Sequence, residues 1–160
     1  LPTTDLKFQH LIQINDPLVP LIAPLTREQV WRGLQLKAEN PMLFVYALDG
    51  FNILSRDNAS ITRELLFGRA VIRDRVTFMP PDRMRQDIEA NGEVPGATLL
   101  TTIETPDAEQ LFVRFEYETR PVPGAPPADE ALQGFVKQAY VEADRDAIRT
   151  IRRLVAAGTL

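Results

Sequence analysis

The feature that most constrains the fold is a long amphipathic helix predicted near the end of the chain, from about Asp129 to Ala157. Apolar residues recur there at steps of three and four, which places them on one helix face. They are Leu132, Phe135, Val136, Ala139, Tyr140, Ala143, Ala147, Ile148, Ile151, Leu154 and Val155. Such a helix would run roughly 40 Å, long enough to cross a whole sheet, and Gly158 is expected to cap it. The rest of the chain must supply a surface that covers this apolar face.

Alternating polar and apolar residues predict the strands that could supply that surface. A first strand is expected at 6–14, and six more at about 50–56, 60–67, 70–78, 83–89, 97–104 and 110–119. Short breaks rich in Gly, Pro, Asn and Asp separate the last six, which favours an antiparallel meander.

Between the first two strands, a helix is predicted to begin at Thr26, with Gln29 completing a capping box. Asn40 and Pro41 should end this helix, and residues 42–48 are interpreted as a second short helix. The fold class expected is therefore α+β: a curved seven-stranded antiparallel sheet wrapped around the C-terminal helix, with two short helices after strand 1. One domain spanning 1–160 is expected, with a cavity where one helix fails to fill a curved sheet.

Composition narrows the classes of function. The net charge of −4 argues against a nucleic-acid partner. The absence of cysteine excludes disulfides and thiolate metal sites, and it fits a cytoplasmic location. No metal or cofactor is expected, since the sequence has one histidine and no glycine-rich phosphate loop. The proline-rich run 17–25 is too short to span a membrane; it is either a packed connection or a flap at the cavity mouth.

Several stretches of the sequence resemble a known family. They are KFQHLIQIND, LTREQVWRGLQLKAENP, ITREL, RVTFMPPDRM, FEYET and AYVEADRDAIRTIR, which together extend over nearly the whole chain. They are similar to the START-like (SRPBCC) superfamily with its helix-grip fold, and within it to the uncharacterised AtaL-like family. The resemblance implies a cavity for lipids, sterols, polyketides or plant hormones, and some members of the superfamily are cyclases or aromatases. It supplies no catalytic motif.

The hairpin ITRELLFGRAVIRDRVTF, residues 61–78, carries the most informative charges. A type II′ turn at Gly68 and Arg69 would set Arg63 opposite Asp74 on the apolar face and Glu64 opposite Arg73 on the polar face. Burying an ion pair is costly, so the Arg63–Asp74 pair needs an explanation. It is either a structural pair that fixes strand register, or part of the cavity wall, where Arg63 would bind a carboxylate, phenolate or carbonyl group of a ligand.

Three further residues are candidates for ligand contacts. His10, the single histidine, falls on the apolar face of the first strand, and Tyr117 falls on the apolar face of the last. Tyr140 lies on the apolar stripe of the long helix, with Asp144 one turn further on. Each could instead be a packed, hydrogen-bonded core residue.

The leading hypothesis is the binding of a small, mainly hydrophobic molecule that carries one polar or acidic group. Arg63 would hold that group and Asp74 would orient the guanidinium, with His10, Tyr117 and Tyr140 contributing polar contacts. The alternatives are a polyketide-cyclase-like or other acid–base enzyme using the same cavity, and an interaction module whose cavity is filled by side chains. Catalytic residues stay unassigned. The polar face of the last strand is solvent-facing or a surface for a homodimer.

Overall fold

The computed structural model describes residues 6–92, 94–126 and 128–160. They form one seven-stranded antiparallel sheet and two α-helices. The strands are β1 (Lys7–Asn15), β2 (Gly50–Arg56), β3 (Ser60–Phe67), β4 (Ala70–Met79), β5 (Arg83–Ile88), β6 (Gly96–Glu104) and β7 (Leu111–Arg120). Their order in the sheet is β1-β7-β6-β5-β4-β3-β2, so the first strand joins the meander beside the last. The predicted fold class is confirmed.

Helix α1 (Arg27–Glu39) begins where its capping box predicts. The Thr26 hydroxyl accepts a hydrogen bond from the Gln29 amide, and the Gln29 side chain accepts one from the Thr26 amide. The helix ends at Asn40, as Pro41 requires.

The second short helix predicted at 42–48 is wrong. Only a 3₁₀ turn forms, at Pro41–Leu43, and turns and bends lead from it into β2. Six residues connect Leu43 to β2, which leaves little length for a regular helix.

The β3–β4 hairpin has the predicted register. Arg63 pairs with Asp74 and Glu64 pairs with Arg73, each pair directly opposite across the two strands. Gly68 has a φ of 58° while Arg69 does not have a positive φ, which is the pattern of a type II′ turn. The turn and the cross-strand charges therefore favour the same register.

Helix α2 (Glu130–Ala156) begins at Asp129, whose carboxylate accepts from the Leu132 amide. Its apolar stripe is only partly covered. Fully buried residues occur only in its C-terminal half, from Asp144 onward, whereas Phe135 is 73% exposed. The N-terminal half extends past the packed core and borders open space.

The main core lies between the concave face of the sheet, α1 and the C-terminal half of α2. Helix α1 packs closely on α2 at Gly33, where a Cβ atom would lie 2.6 Å from Cγ1 of Ile151. This close contact fixes the two helices against each other.

Candidate functional site

A cavity of about 290 Å³ occupies the space between the sheet, the end of α1 and the middle of α2. Most of its wall is apolar. The apolar lining residues are Leu34, Ala38, Pro41, Val45, Leu65, Phe67, Ile72, Val76, Met84, Ile88, Ala97, Leu99, Phe115 and Ala143. The side chains that line this space leave it open, so a small molecule could enter it.

The polar residues on the wall come from six elements. They are Lys37, Arg63, Gln86, Thr98, Thr101, Tyr117, Tyr140 and Asp144. A mainly apolar chamber with a few polar groups is the usual chemistry of a binding site for a small organic molecule.

The Arg63–Asp74 pair lies at this wall and is fully buried. Nε and Nη2 of Arg63 donate to the two Asp74 oxygens at 2.9 and 2.6 Å, and Nη1 donates to the carbonyl of Ala38 at 2.8 Å. The Gln86 side-chain amide donates to the same carboxylate at 2.7 Å. Arg63 reaches the cavity, whereas Asp74 lies behind it. The charge of Arg63 is thereby neutralised within the protein.

A second buried carboxylate, Asp144 on α2, is contacted by one residue of β1 and one of β7. The Tyr117 hydroxyl donates to Asp144 Oδ2 at 2.6 Å, and Nε2 of His10 lies 2.7 Å from the same atom. Burial raises the pKa of Asp144, while Lys37 and these two contacts partly offset the rise. His10 supports Asp144 from behind and does not reach the cavity wall.

The two tyrosines predicted from the sequence form a stack beside Asp144. The Tyr117 and Tyr140 rings lie 4.2 Å apart between centroids, with 15° between their planes. Burial, followed by the negative charge of Asp144, raises the pKa of both phenols. Both therefore stay protonated and can donate hydrogen bonds.

Lys37 was not identified from the sequence. It lies in the last turn of α1 and lines the cavity. Its side chain is half-buried. Burial lowers its pKa, the negative charge of Asp144 raises it and the positive charge of Arg63 lowers it further. One signal was available, since Lys37 follows Val30 and Leu34 at helical spacing on the stripe of α1.

Of the predicted ligand-binding residues, the structure thus brings Arg63, Tyr117 and Tyr140 to the cavity, with Asp74 and His10 in support. Asp144 and Lys37 join them. The run 17–25 does not line the cavity. Its base is held instead by Asn15, which exchanges two hydrogen bonds with the backbone of Leu25.

A larger depression of about 510 Å³ lies on the outer face of the sheet. Its lining alternates in charge, with Lys7, Arg85 and Arg120 beside Glu116 and Glu118. Such a lining is typical of a solvated sheet face. The apolar cavity between the sheet and the two helices is the better candidate site, although its volume is smaller.

Metal and membrane chemistry find no support in the described ranges. No group of three or more His, Cys, Asp or Glu side chains there could hold a metal ion. None of the helices in the same ranges is long and apolar enough to cross a membrane.

Comparisons with solved structures agree with this fold. The ZhuI aromatase/cyclase from Streptomyces sp. R1128 is 19% identical with a TM-score of 0.65, and the match covers 96% of this chain and 98% of that one. The di-domain aromatase/cyclase StfQ of the steffimycin pathway is 9% identical with a TM-score of 0.70, over 92% of this chain and 50% of that one. A START superfamily protein from Mycobacterium smegmatis is 7% identical with a TM-score of 0.65, over 92% and 98%. These likenesses show the START-like fold.

At the level of sequence, no curated protein matches the chain significantly. A family model does: that of AtaL, described as acetylaranotin biosynthesis cluster protein L, which matches residues 12–158. Since this match spans nearly the whole sequence, the chain belongs to the AtaL family.

Proposed function

We propose that this protein binds a small, mainly hydrophobic molecule with one polar or acidic group in the cavity between the sheet and α2. The observation that carries the proposal is the apolar space of about 290 Å³ with polar groups on its wall. Typical ligand pockets measure about 300–1,000 Å³. The volume therefore favours a small ligand.

The polar group of the ligand would bind at Arg63. A guanidinium has five N–H donors, and three of those on Arg63 are engaged by Asp74 and the Ala38 carbonyl. The remaining donors are available to a carbonyl, phenol or carboxyl oxygen. Asp74 would hold the guanidinium in place, and Tyr140, which has no hydrogen bond to any described residue, would offer a second donor.

Native mass spectrometry of the protein purified from its own host would test this proposal. A bound apolar compound with one oxygen-bearing group is expected, and it should be released on denaturation. Stabilisation by a panel of aromatic acids and phenols, read as a shift in melting temperature, would extend the test to added compounds. No co-purifying compound and no shift with any member of the panel would contradict the proposal.

Arg63→Lys is the informative variant, because it keeps a cation opposite Asp74 and removes the planar donor set. It should retain the fold and bind the panel less tightly. Loss of stability together with unchanged affinity would assign the Arg63–Asp74 pair to structure alone.

A second candidate function is acid–base catalysis in the same cavity. The observation that favours it is the buried Asp144 carboxyl, whose pKa is raised by burial and which contacts both His10 and Tyr117. A carboxyl with a raised pKa can donate and accept protons near neutral pH. Turnover of an aromatic or polyketide-like substrate should vanish in Asp144→Asn and fall in His10→Gln while substrate binding persists. Turnover that survives both changes would remove this candidate.

A further inference from the structure

The chain has three lysines, and they occupy very different environments. Lys7 and Lys137 are exposed, the first at the start of the sheet and the second on α2, where its amine lies 5.9 Å from the centre of the Phe8 ring. Lys37 projects from the end of α1 to the wall of the cavity. Any reaction that selects the cavity can therefore be recognised by which lysine it modifies.

The Lys37 amine has no partner within the described parts of the chain: it makes neither a hydrogen bond nor an ion pair there. The acceptors nearby are already engaged. Asp74 accepts from Arg63 and Gln86, the Ala38 carbonyl accepts from Arg63, and Asp144 contacts Tyr117 and His10. An amine that is enclosed without a counter-ion favours its neutral form.

Electrostatics act in the same direction. Burial is the largest influence on the pKa of Lys37 and lowers it, and the neighbouring Arg63 cation lowers it further, while Asp144 opposes both. Desolvation and a nearby cation are the two means by which proteins turn a lysine into a nucleophile for carbonyl compounds. The position of Lys37 on an apolar wall supplies the geometry for such a reaction.

We propose that Lys37 is a nucleophile that forms a Schiff base with a small apolar aldehyde or ketone held in the cavity. This proposal rests on the proposed ligand-binding function, and it names a carbonyl compound as the ligand class. The three lining groups Tyr140, Asp144 and Arg63 complete the site.

The reaction needs only the amine of Lys37 and the carbonyl compound. The Nζ lone pair of Lys37 attacks the carbonyl carbon, a C–N bond forms, and the carbonyl π electrons move to oxygen. One proton leaves nitrogen and one reaches oxygen, which gives a carbinolamine. The nitrogen lone pair then forms the C=N bond as the hydroxyl takes a proton from a wall group and departs as water. The second proton of the nitrogen returns to that group, so amine plus carbonyl gives imine plus water. Tyr140 and Asp144 are the wall groups able to relay these protons.

Reductive trapping with naphthaldehyde and cyanoborohydride tests the proposal on the full chain. Intact mass should show one adduct, and peptide mapping should place it on Lys37. At neutral pH we expect Lys37 to be labelled faster than Lys137, since a lowered pKa leaves more of the amine in its neutral, nucleophilic form. Equal labelling of the three lysines would overturn the proposal.

Two variants and one analogue make the result specific. Lys37→Arg keeps the charge and cannot form the imine, so the selective adduct should vanish, whereas it should persist in Lys137→Arg. Naphthalenemethanol lacks the carbonyl group and reports binding alone through the shift in melting temperature. If the alcohol binds and the aldehyde leaves no adduct on Lys37, the Schiff base is wrong and the binding function stands. If neither compound binds or reacts, both fail.

Discussion

Two cations line the same cavity, Arg63 and Lys37, and their surroundings differ. Arg63 is held by a bidentate carboxylate and a backbone carbonyl, and its partner Asp74 receives a further hydrogen bond from Gln86. Lys37 is half-buried on the wall of the same cavity and has no such partner among the described residues. The closed network of Arg63 and Asp74 can stabilise one geometry, whereas the unpaired amine of Lys37 can react with a ligand or bind it.

The two residues show two ways in which a protein can accommodate a buried charged group. A buried ion pair is tolerated because pairing offsets much of the desolvation. A buried amine without a partner lowers its own pKa instead. Substitution of Arg63 should therefore change chiefly the free energy of unfolding. Substitution of Lys37 should change how that free energy depends on pH, and also the reactivity of the cavity.

The largest expected effect is at the closed network. Arg63→Met should destabilise the fold by about 3–5 kcal/mol, because it leaves the Asp74 carboxylate buried without its counter-ion. Urea denaturation would measure this loss. The double variant Arg63→Met with Asp74→Leu should recover most of it, since no unpaired charge remains. If the double variant is as unstable as the sum of the two singles, the ion pair does not act as a unit.

A smaller loss is expected at the second carboxylate. Tyr117→Phe removes the hydroxyl that donates to Asp144 and should cost about 1.5–3 kcal/mol, the range for a hydrogen bond to a charged group. Tyr140→Phe is the matched control, because that phenol stacks on Tyr117 and makes no hydrogen bond to a described residue. Equal losses in the two variants would show that packing, rather than the bond to Asp144, sets the effect.

At Lys37 we expect a dependence on pH. The unfolded chain keeps a lysine with a pKa of about 10.5, and the folded protein lowers it. Between the lowered pKa of the folded state and 10.5, the unfolded state binds more protons, so wild-type stability should rise with pH relative to Lys37→Met in that window. Denaturation at several pH values measures the slope, and Lys137→Met should leave it unchanged. A flat difference between wild type and Lys37→Met would contradict an enclosed, unpaired amine.

The smallest effect is expected on the outer face of the same hairpin. Glu64 and Arg73 form the neighbouring cross-strand pair, with an N–O distance of 2.9 Å, and the Arg73 side chain is 52% exposed. Glu64→Gln should change stability far less than Arg63→Met, and added salt should abolish the change. Denaturation at low and high salt checks this. A loss as large as that of Arg63→Met would show that position in the sheet, rather than burial, decides what a charge pair contributes.

The sequence predicts the hairpin and its two charge pairs because the signals are local. A glycine in a type II′ turn and opposite charges across the strands are enough to set the register. The same locality explains the correct bounds of α2, which follow from its caps and its periodicity. Burial of the first half of α2 could not be predicted in the same way, because it depends on where the sheet ends in space.

Only some of the polar residues of the cavity could be predicted from the sequence, for a related reason. Arg63, Tyr117 and Tyr140 carry a face assignment that follows from strand or helix periodicity. The environment of Asp144 depends on His10, which is 134 positions away in sequence, and that of Lys37 depends on α1 packing beside α2. Periodicity places both charges near the buried stripe of a helix, but only tertiary structure shows what surrounds them.

The most direct test of the central claim is the equilibrium binding of anilinonaphthalene sulfonate, an apolar fluorophore with one acidic group. Ala143→Trp should close the cavity, since Ala143 lines it. Ala139→Trp, one turn earlier on α2 and outside the cavity lining, is the control. Saturable binding of one probe to the wild type and to Ala139→Trp, lost in Ala143→Trp, is the result that the account predicts. Unchanged binding in Ala143→Trp, or no binding to the wild type, would contradict it.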